Sequence, residues 1–394
     1  MDGTEKYRGE RRRLIVDMSV LYQIDAGTGI QRVVRNIWDE LRRMDRPGLA
    51  AIAVAASNGS PFHHIDDDFV ERPKTAGSGG ELAPYRPQPG DLFLALDFSP
   101  AILPRHHRAI ANWKRVGVTV HVLVYDLLPV TNPEWFTKRG ARNFRRWLSF
   151  VRLHADHAIC ISATVAQELR DLLPERGLKR FFQNDRPIKI DVVRLATVFE
   201  ASGVQAVMPS VLQGVPARHP IILMVGTVEP RKGYDLALDI IDADWTGGVA
   251  PIFVIAGKKG WRTEALQQQI RLHPQSGRSL FWIEDASDEH LAWLYRFSTA
   301  FLSTSRAEGF GLPLAEAMSY GLPVVAPDLP VFREFSPEGI LFYNVGQAVE
   351  AVAHLRRSIM MPRSARRSTS TSVGWGEVTQ SLLDSVSGAA RDRL

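Results

Sequence analysis

The stretch Ser303-Thr-Ser-Arg-Ala-Glu308-Gly309-Phe310-Gly311-Leu312-Pro313-Leu-Ala-Glu316-Ala-Met-Ser-Tyr-Gly321-Leu-Pro323-Val-Val-Ala-Pro327 reads as strand end, glycine loop, helix and strand. The apolar run Thr299-Ala-Phe-Leu-Ser303 suits a short buried strand. Gly309 and Gly311 bracket Phe310 in a turn. Pro313 suits the first position of a helix, where a missing N–H costs nothing. Gly321 suits the residue just past a helix end, and Pro323 blocks continuation. Leu322 to Ala326 returns as a buried strand. Such a loop aims backbone N–H groups from a helix N-terminus, which is the chemistry that receives a phosphate. Seven residues separate Glu308, before the turn, from Glu316, expected in the first helical turn. Both carboxylates can therefore face one ligand whose phosphate lies at the glycines. Gly-x-Gly alone would mean no more than a tight turn into a packed helix. Two glutamates in a strand–loop–helix setting are a more specific pattern.

Upstream, Pro220-Ile-Ile-Leu-Met-Val225-Gly226-Thr227-Val-Glu229-Pro-Arg231-Lys232-Gly233 runs a strand into a turn that carries two cations. An arginine fork and a lysine point charge beside a strand end suit a diphosphate. Pro251–Gly257 and Leu280–Ile283 are further strands, the latter followed by Glu284. Together these segments resemble the E-x7-E region and phosphate-clamp loop of family 4 of the retaining nucleotide-sugar glycosyltransferases. The likeness covers nearly the whole chain and is most specific from Val225 to Glu334. It implies that Glu316 grips the ribose hydroxyls and Glu308 the donor-sugar hydroxyls. Lys232 and Arg231 would take the diphosphate, and Ile283 and Glu284 would lie near the base. Many members carry arginine where this chain has Thr227; either Arg231 substitutes or the clamp is weaker.

In the first half, Leu14–Met18 is a strand, followed by Asp25-Ala-Gly27-Thr-Gly29-Ile-Gln-Arg and a helix whose Ile30, Val33, Val34, Ile37, Trp38 and Leu41 make one apolar face. The loop resembles the Gly-Thr-Gly-Ile-Gln-Arg loop of a subgroup that includes bacterial mannosyltransferases of surface polysaccharide assembly. That implies contact of Gly27 and Gly29 with donor phosphate or acceptor; a tight turn into a packed helix is the alternative. Asp97 and Asp126 fall just past two further strands, where ligands bind in open parallel sheets. Tyr125-Asp126-Leu-Leu-Pro129 resembles the subgroup's His-Asp-Leu-x-Pro with tyrosine in place of histidine, which leaves Asp126 as the acceptor-side candidate. His63, His64 and Asp66–Asp68 lack a metal spacing and read as a polar loop. Trp135 to Leu153 interleaves Lys138, Arg139, Arg142, Arg145, Arg146 and Arg152 with aromatic residues, and no acid occurs from Thr137 to Leu153. This pattern suits the surface of an anionic bilayer, and it equally suits a domain helix with a solvated basic face.

The 394 residues carry 45% apolar and 23% charged side chains and a net charge of +5, which is ordinary globular composition suited to an anionic ligand. Neither an RNA-binding aromatic signature nor a zinc spacing is present, so nucleic acid is not an expected partner. The single cysteine, Cys160, allows no intrachain disulfide. No signal peptide is read at the N-terminus, and the longest apolar block, Leu49–Ala56, falls far short of the roughly 20 residues of a membrane helix. A cytoplasmic location, peripheral on the inner face of the membrane, is expected.

Strand–helix alternation in both halves predicts an α/β protein of two doubly wound Rossmann-like domains facing a cleft. The resemblance names this architecture GT-B. The expected divisions are 1–205 (acceptor side), 206–372 (nucleotide-sugar binding) and 373–394 (a helix crossing back). The expected reaction is transfer of a sugar with retention, mannose from GDP-mannose before a UDP-sugar, onto a glycan or lipid-linked acceptor. The alternatives are a UDP-sugar enzyme of the same fold, a sugar-nucleotide epimerase, or a non-catalytic partner subunit that binds a sugar nucleotide. The catalytic set is Glu308, Lys232, Arg231 and Asp126. The donor-binding set is Gly27, Gly29, Gly226, Thr227, Ile283, Glu284, Gly309, Phe310, Gly311, Leu312 and Glu316. No Asp-x-Asp metal site is read between strands, so no metal and no cofactor are expected, with Lys232 and Arg231 in the metal's place.

Overall fold

A computed structural model describes residues 12–44, 48–66, 69, 83–173, 187–198, 205–216, 218–243, 245, 250–335, 339–361 and 373–391. The chain divides into two compact units. The first comprises residues 1–130, 139–195 and 375–394, and the second residues 131–138 and 196–374.

In the first unit the order is β1 (Arg12–Asp17), α1 (Ser19–Gln23), α2 (Gly29–Arg43), β2 (Leu49–Ala55), β3 (His63–His64), β4 (Leu92–Ala95), α3 (His107–Arg115), β5 (Thr119–Val124), α4 (Leu128–Thr131), α5 (Lys138–His154), β6 (His157–Cys160), α6 (Ala163–Leu172) and β7 (Lys189–Val192). The sheet runs β3-β2-β1-β4-β5-β6-β7, parallel except for β3. The strands are apolar runs because helices cover both faces of such a sheet. Phe93, Val120, Val122, Ala158 and Cys160 sit in one core cluster with Phe144, Trp147 and Val151 of α5.

The second unit contains β8 (Ile221–Val225), α7 (Tyr234–Ile241), β9 (Ile252–Ala256), α8 (Glu264–Leu272), β10 (Leu280–Ile283), α9 (Asp288–Phe297), β11 (Ala300–Leu302), α10 (Leu312–Ser319), β12 (Val324–Pro327), β13 (Ile340–Tyr343) and α11 (Ala348–Met360). Its parallel sheet runs β10-β9-β8-β11-β12-β13, with one core cluster on each face. The last helix, α12 (Trp375–Arg391), belongs to the first unit and packs on α2 and β6.

Both sheets reverse winding direction once, between β1 and β4 and between β8 and β11. These are the topological switch points, where helices diverge to opposite faces and leave a crevice at the strands' carboxyl ends. Gly27 and Gly29 come after β1, Gly226 to Lys232 after β8 and Glu308 to Leu312 after β11, whereas Asp126 follows β5, Ile283 ends β10 and Glu284 comes directly after it.

Several expectations need correction. His63 and His64 do not form a polar loop: they pair antiparallel with Val54 and Ala55, and His63 is buried. Asp67 and Asp68 lie outside the described residues. Helix α11 runs through Arg356 and Arg357 to Met360, and residues 362–372 lie outside the described residues. Among the described residues, no helix is long and apolar enough to cross a membrane.

Candidate active site

In the second unit the chain leaves β8 through Gly226, whose φ of 148° is costly for any side chain. A Cβ there would lie 3.2 Å from Lys232 Cε, so the glycine leaves the lane along which the lysine runs. Pro230–Lys232 forms a single 3-10 turn, and Gly233 (φ 64°) then lets the chain enter α7. A Cβ at Gly233 would collide with the Thr304 carbonyl at 2.1 Å, so the loops after β8 and β11 touch at their backbones. Thr304 Oγ1 donates to Lys232 O at 2.8 Å, Arg306 N to Arg231 O at 2.7 Å, and Tyr234 Oη to Gly226 O at 2.7 Å. The two cations thus stand on a braced loop.

Glu308, four residues after the β11 turn begins at Thr304, meets them. Lys232 Nζ and Arg231 Nη1 each donate to its carboxylate at 2.5 Å, and Ser305 Oγ adds a third bond at 2.7 Å. Arg231 Nε also holds Glu229 at 2.7 Å. Burial would raise the Glu308 carboxyl, but Arg231, Lys232 and Ser305 outweigh it and hold it at about 2. The cavity bordered by Lys232, Ser305, Glu308 and Gly311 has about 20 Å³, room for one water.

Gly311 (φ 99°) caps α10, and its missing side chain admits the Phe332 ring, which a Cβ would meet at 2.6 Å. Pro313 is the second residue of α10, one place later than expected, still among the positions whose N–H has no partner within the helix. Glu316, expected in the first turn, is the fifth residue of α10 and lies past it. It is buried, and Tyr295 Oη donates to it at 2.6 Å. Tyr295, stacked on Tyr320 with ring centroids 5.5 Å apart, was not legible as a site residue. Phe310 is buried with its ring edge on Phe335, so its side chain serves the core; Leu312 is the first residue of α10. Thr227 is half-buried in the loop after β8. Ile283 is the last residue of β10, the edge strand two places from β8, and Glu284 directly after it pairs with Lys259 at 3.0 Å and Arg271 at 2.6 Å. Asp242-Ala-Asp244 does have the Asp-x-Asp spacing that the sequence reading passed over. It follows α7, whose C-terminus leads back to the start of β9, and Asp242 pairs with His273 at 3.0 Å. Asp244 lies outside the described residues.

In the first unit Gly27 (φ 60°) precedes α2, Gly29 is its first residue, and Thr28 is its N-cap in a capping box with Gln31. The buried Gln31 accepts from Ala26 N at 2.8 Å and donates to Ile24 O at 2.5 Å, tying the loop together. The Thr-x-x-Gln spacing could have revealed this. A second network also went unread. Asp17, ending β1, accepts from Ser19 N at 3.0 Å and Ser99 Oγ at 3.2 Å; Asp97, after β4, accepts from Val20 N and Leu21 N at 2.7 Å each. Burial pushes Asp17 up to about 7 and Asp97 to about 6, with repulsion from Asp97 adding to the rise at Asp17. Asp126 lies after β5, half-buried, accepting from Leu128 N at 3.2 Å. Tyr125 is buried and donates to Leu96 O at 2.8 Å.

The aromatic residues of α5 face inward: Phe144, Trp147 and Phe150 are buried, and they insert into no bilayer. Lys138, Arg139, Arg142, Arg145 and Arg146 make up its exposed side.

Two Rossmann-like sheets, the second with a lysine and an arginine after its switch-point strand β8, define the architecture to which known proteins can be compared. Residues 213–370 match the family model "Glycosyl transferases group 1". It is similar to the serotype-specific mannosyltransferase WbdA of Escherichia coli, 34% identical over 368 residues that cover 91% of this chain and 43% of the relative. The chain therefore spans less than half the length of that relative. Among solved structures it resembles sucrose-phosphate synthase from Thermosynechococcus elongatus (TM-score 0.62, 16% identity, 97% of each chain). It also resembles Anabaena HepE in complex with UDP and glucose (TM-score 0.59, 16% identity, 97% of this chain and 98% of that one). At that identity the likeness shows the fold, the GT-B class expected from sequence.

Proposed function

We propose that this chain transfers a sugar from a nucleoside diphosphate sugar, with retention of anomeric configuration, in assembly of a bacterial surface polysaccharide. The observation that carries the reading is the convergence of Arg231, Lys232 and Glu308 on one point at the β8/β11 switch. Mannose from GDP-mannose is the proposed donor, supported by the similarity to a mannosyltransferase over 91% of this chain. The acceptor is a glycan or a lipid-linked glycan.

The chemical task is to stabilise a leaving diphosphate while the sugar ring gains positive charge. Lys232 Nζ and the Arg231 guanidinium supply preorganised charge for the departing oxygens, the type of interaction that contributes most to such barriers. Glu308 accepts from the donor-sugar hydroxyls and Glu316 from the ribose hydroxyls. The leaving phosphate receives the acceptor proton on the same face of the sugar, and Asp126 serves the acceptor side. Lys232 and Arg231 replace a divalent metal in this scheme.

Mixing the protein with GDP-mannose and with UDP-sugars, with lipid-linked oligosaccharide as acceptor, tests the reading. GDP-mannose should be consumed preferentially, with the product anomer matching the donor by NMR and EDTA leaving the rate unchanged. Lys232→Ala should lower kcat/KM by about 10²–10³-fold, the loss seen when one oxyanion donor is removed. Near-wild-type kinetics in that variant would refute the assignment, and loss of activity in EDTA restored by Mg²⁺ would refute metal independence.

A second part of the proposal concerns the membrane. The exposed cations of α5 form a one-signed face suited to anionic lipid headgroups, held there by charge alone since the aromatic residues are in the core.

A further inference from the structure

The two cations assigned to the diphosphate are already paired with carboxylates without it. Lys232 Nζ and Arg231 Nη1 both reach Glu308 at 2.5 Å, and Arg231 Nε reaches Glu229 at 2.7 Å. Two positive charges therefore meet two carboxylates, and the clamp as it stands presents no net charge to an incoming anion. The Glu308 side chain is only 8% exposed, and its carboxylate lies where a phosphate oxygen would take the same two donors. The adjoining cavity of about 20 Å³ borders Lys232, Ser305 and Glu308. A phosphate placed against Lys232 with Glu308 still in contact would set like charges side by side in a poorly solvated site. The two anions therefore compete for the same donors.

The carboxylate is the one built to move. Lys232 and Arg231 sit on a loop braced by Thr304, Arg306 and Tyr234, while Glu308 is followed directly by Gly309, with Gly311 two residues further on. Apart from the two cations, the hydroxyl of Ser305 holds it, at 2.7 Å.

We propose that Glu308 is a built-in anionic placeholder on the Arg231–Lys232 clamp, which the donor's diphosphate displaces, freeing the carboxylate for the donor-sugar hydroxyls. Arrival of the phosphates and the grip on the sugar are then one event: the carboxylate becomes available to the sugar only when the diphosphate has taken its cations. This rests on the nucleotide-sugar reading above and deepens it. It also gives Glu308 opposite effects on two ligands. It competes with a bare diphosphate and assists a diphosphate sugar.

Titration calorimetry of the full chain with GDP, inorganic pyrophosphate and GDP-mannose separates these effects. Glu308→Gln keeps the shape and removes the charge. It should bind GDP and pyrophosphate more tightly than wild type, by about tenfold if one charge-assisted hydrogen bond's worth of competition is lifted. Turnover of GDP-mannose should fall in the same variant. Ser305→Ala, which removes one tether and leaves the ion pairs, should tighten GDP binding in the same direction by a smaller factor and provides the reading if Glu308→Gln does not fold. Equal or weaker GDP and pyrophosphate binding in both variants would overturn the placeholder, making Glu308 a fixed support of the clamp. Failure of the wild-type protein to bind any of the three ligands would overturn the nucleotide-sugar reading and the placeholder with it. Wild-type binding with no gain in the variants removes the placeholder alone.

Discussion

At the scale of single residues, the two switch points use carboxylates in opposite ways. Glu308 is buried among cations and stays charged, whereas Asp17 is buried among hydroxyls and beside Asp97, and its carboxyl rises to about 7. Its network orders the start of α1: Asp17 holds Ser19, whose Oγ accepts from Ala56 N at 2.8 Å, and Asp97 holds Val20 and Leu21. The linkage sign follows from the proton count. Between the unfolded value near 4 and about 7 the folded state keeps a proton that the unfolded chain has released, so this group's contribution to stability falls as pH rises through that window. Asp17→Asn is permanently neutral and can still accept from Ser19. Its melting temperature relative to wild type should therefore climb from pH 4.5 to pH 7.5. The difference corresponds to roughly 2–4 kcal/mol, from a rise of about three pKa units discounted for coupling to Asp97. A difference that stays flat with pH would show that Asp17 titrates normally. No local signal marks Asp17 in the sequence, because its environment is made by Ser99 and Asp97 from 82 and 80 residues away. Glu308 was legible because its partners lie in two loops whose glycines and strand ends are local features. That Glu308 is already paired with Lys232 and Arg231 was not legible, since pattern gives the neighbours but not the hydrogen bonds.

At the scale of elements, helices were legible where a local start signal or an apolar stripe marked them. The Gly311–Pro313 start of α10 was read from local backbone chemistry, and α2 from its apolar stripe, while the Thr28 capping box was not. Helix α5 shows what periodicity leaves open. Its aromatic residues could face a bilayer or a core, and the choice depends on β4 and β5, which supply Phe93 and Val122 to the same cluster. With Phe144, Trp147 and Phe150 inside, membrane affinity has to come from Lys138, Arg139, Arg142, Arg145 and Arg146 alone, at about 1 kcal/mol per charge near an anionic surface. Such binding is screened. Flotation with phosphatidylglycerol vesicles should carry the protein at low salt and lose it near 1 M, where the Debye length is about 3 Å. Reversing Arg142, Arg145 and Arg146 to glutamate should abolish flotation while leaving the melting temperature and GDP binding unchanged. Flotation that survives high salt or the reversal would place the membrane contact elsewhere.

At the scale of the whole chain, the two units have separate cores but are not separate in sequence, because α12 returns to the first unit after the second is complete. The alternation of strands and helices predicted two doubly wound domains, and the strand order within each sheet comes from the structure. What α12 contributes is set by tertiary contact: Trp375, Val378, Leu382, Leu383 and Val386 are each at most 3% exposed. Ser385 Oγ also donates to Asp191 on β7 at 2.7 Å, and Asp191 pairs with His157 of β6 at 3.1 Å. Burying five such side chains stabilises by roughly 1.5–3 kcal/mol each, on the order of 10 kcal/mol together before chain entropy. That is comparable with the entire stability of a domain, about 5–15 kcal/mol. Truncation after Gly374 should therefore unfold the first unit and spare the second, whose cores contain no residue beyond Ile359. Calorimetry of the truncated chain should show loss of one transition and persistence of the other. GDP should still raise the remaining transition, because Arg231, Lys232, Glu308 and Glu316 all lie in the second unit. A truncated chain that keeps both transitions would mean that α12 is peripheral to the first core. One that loses both, or keeps a transition GDP no longer shifts, would mean that the second unit depends on the first for its fold or for its donor site.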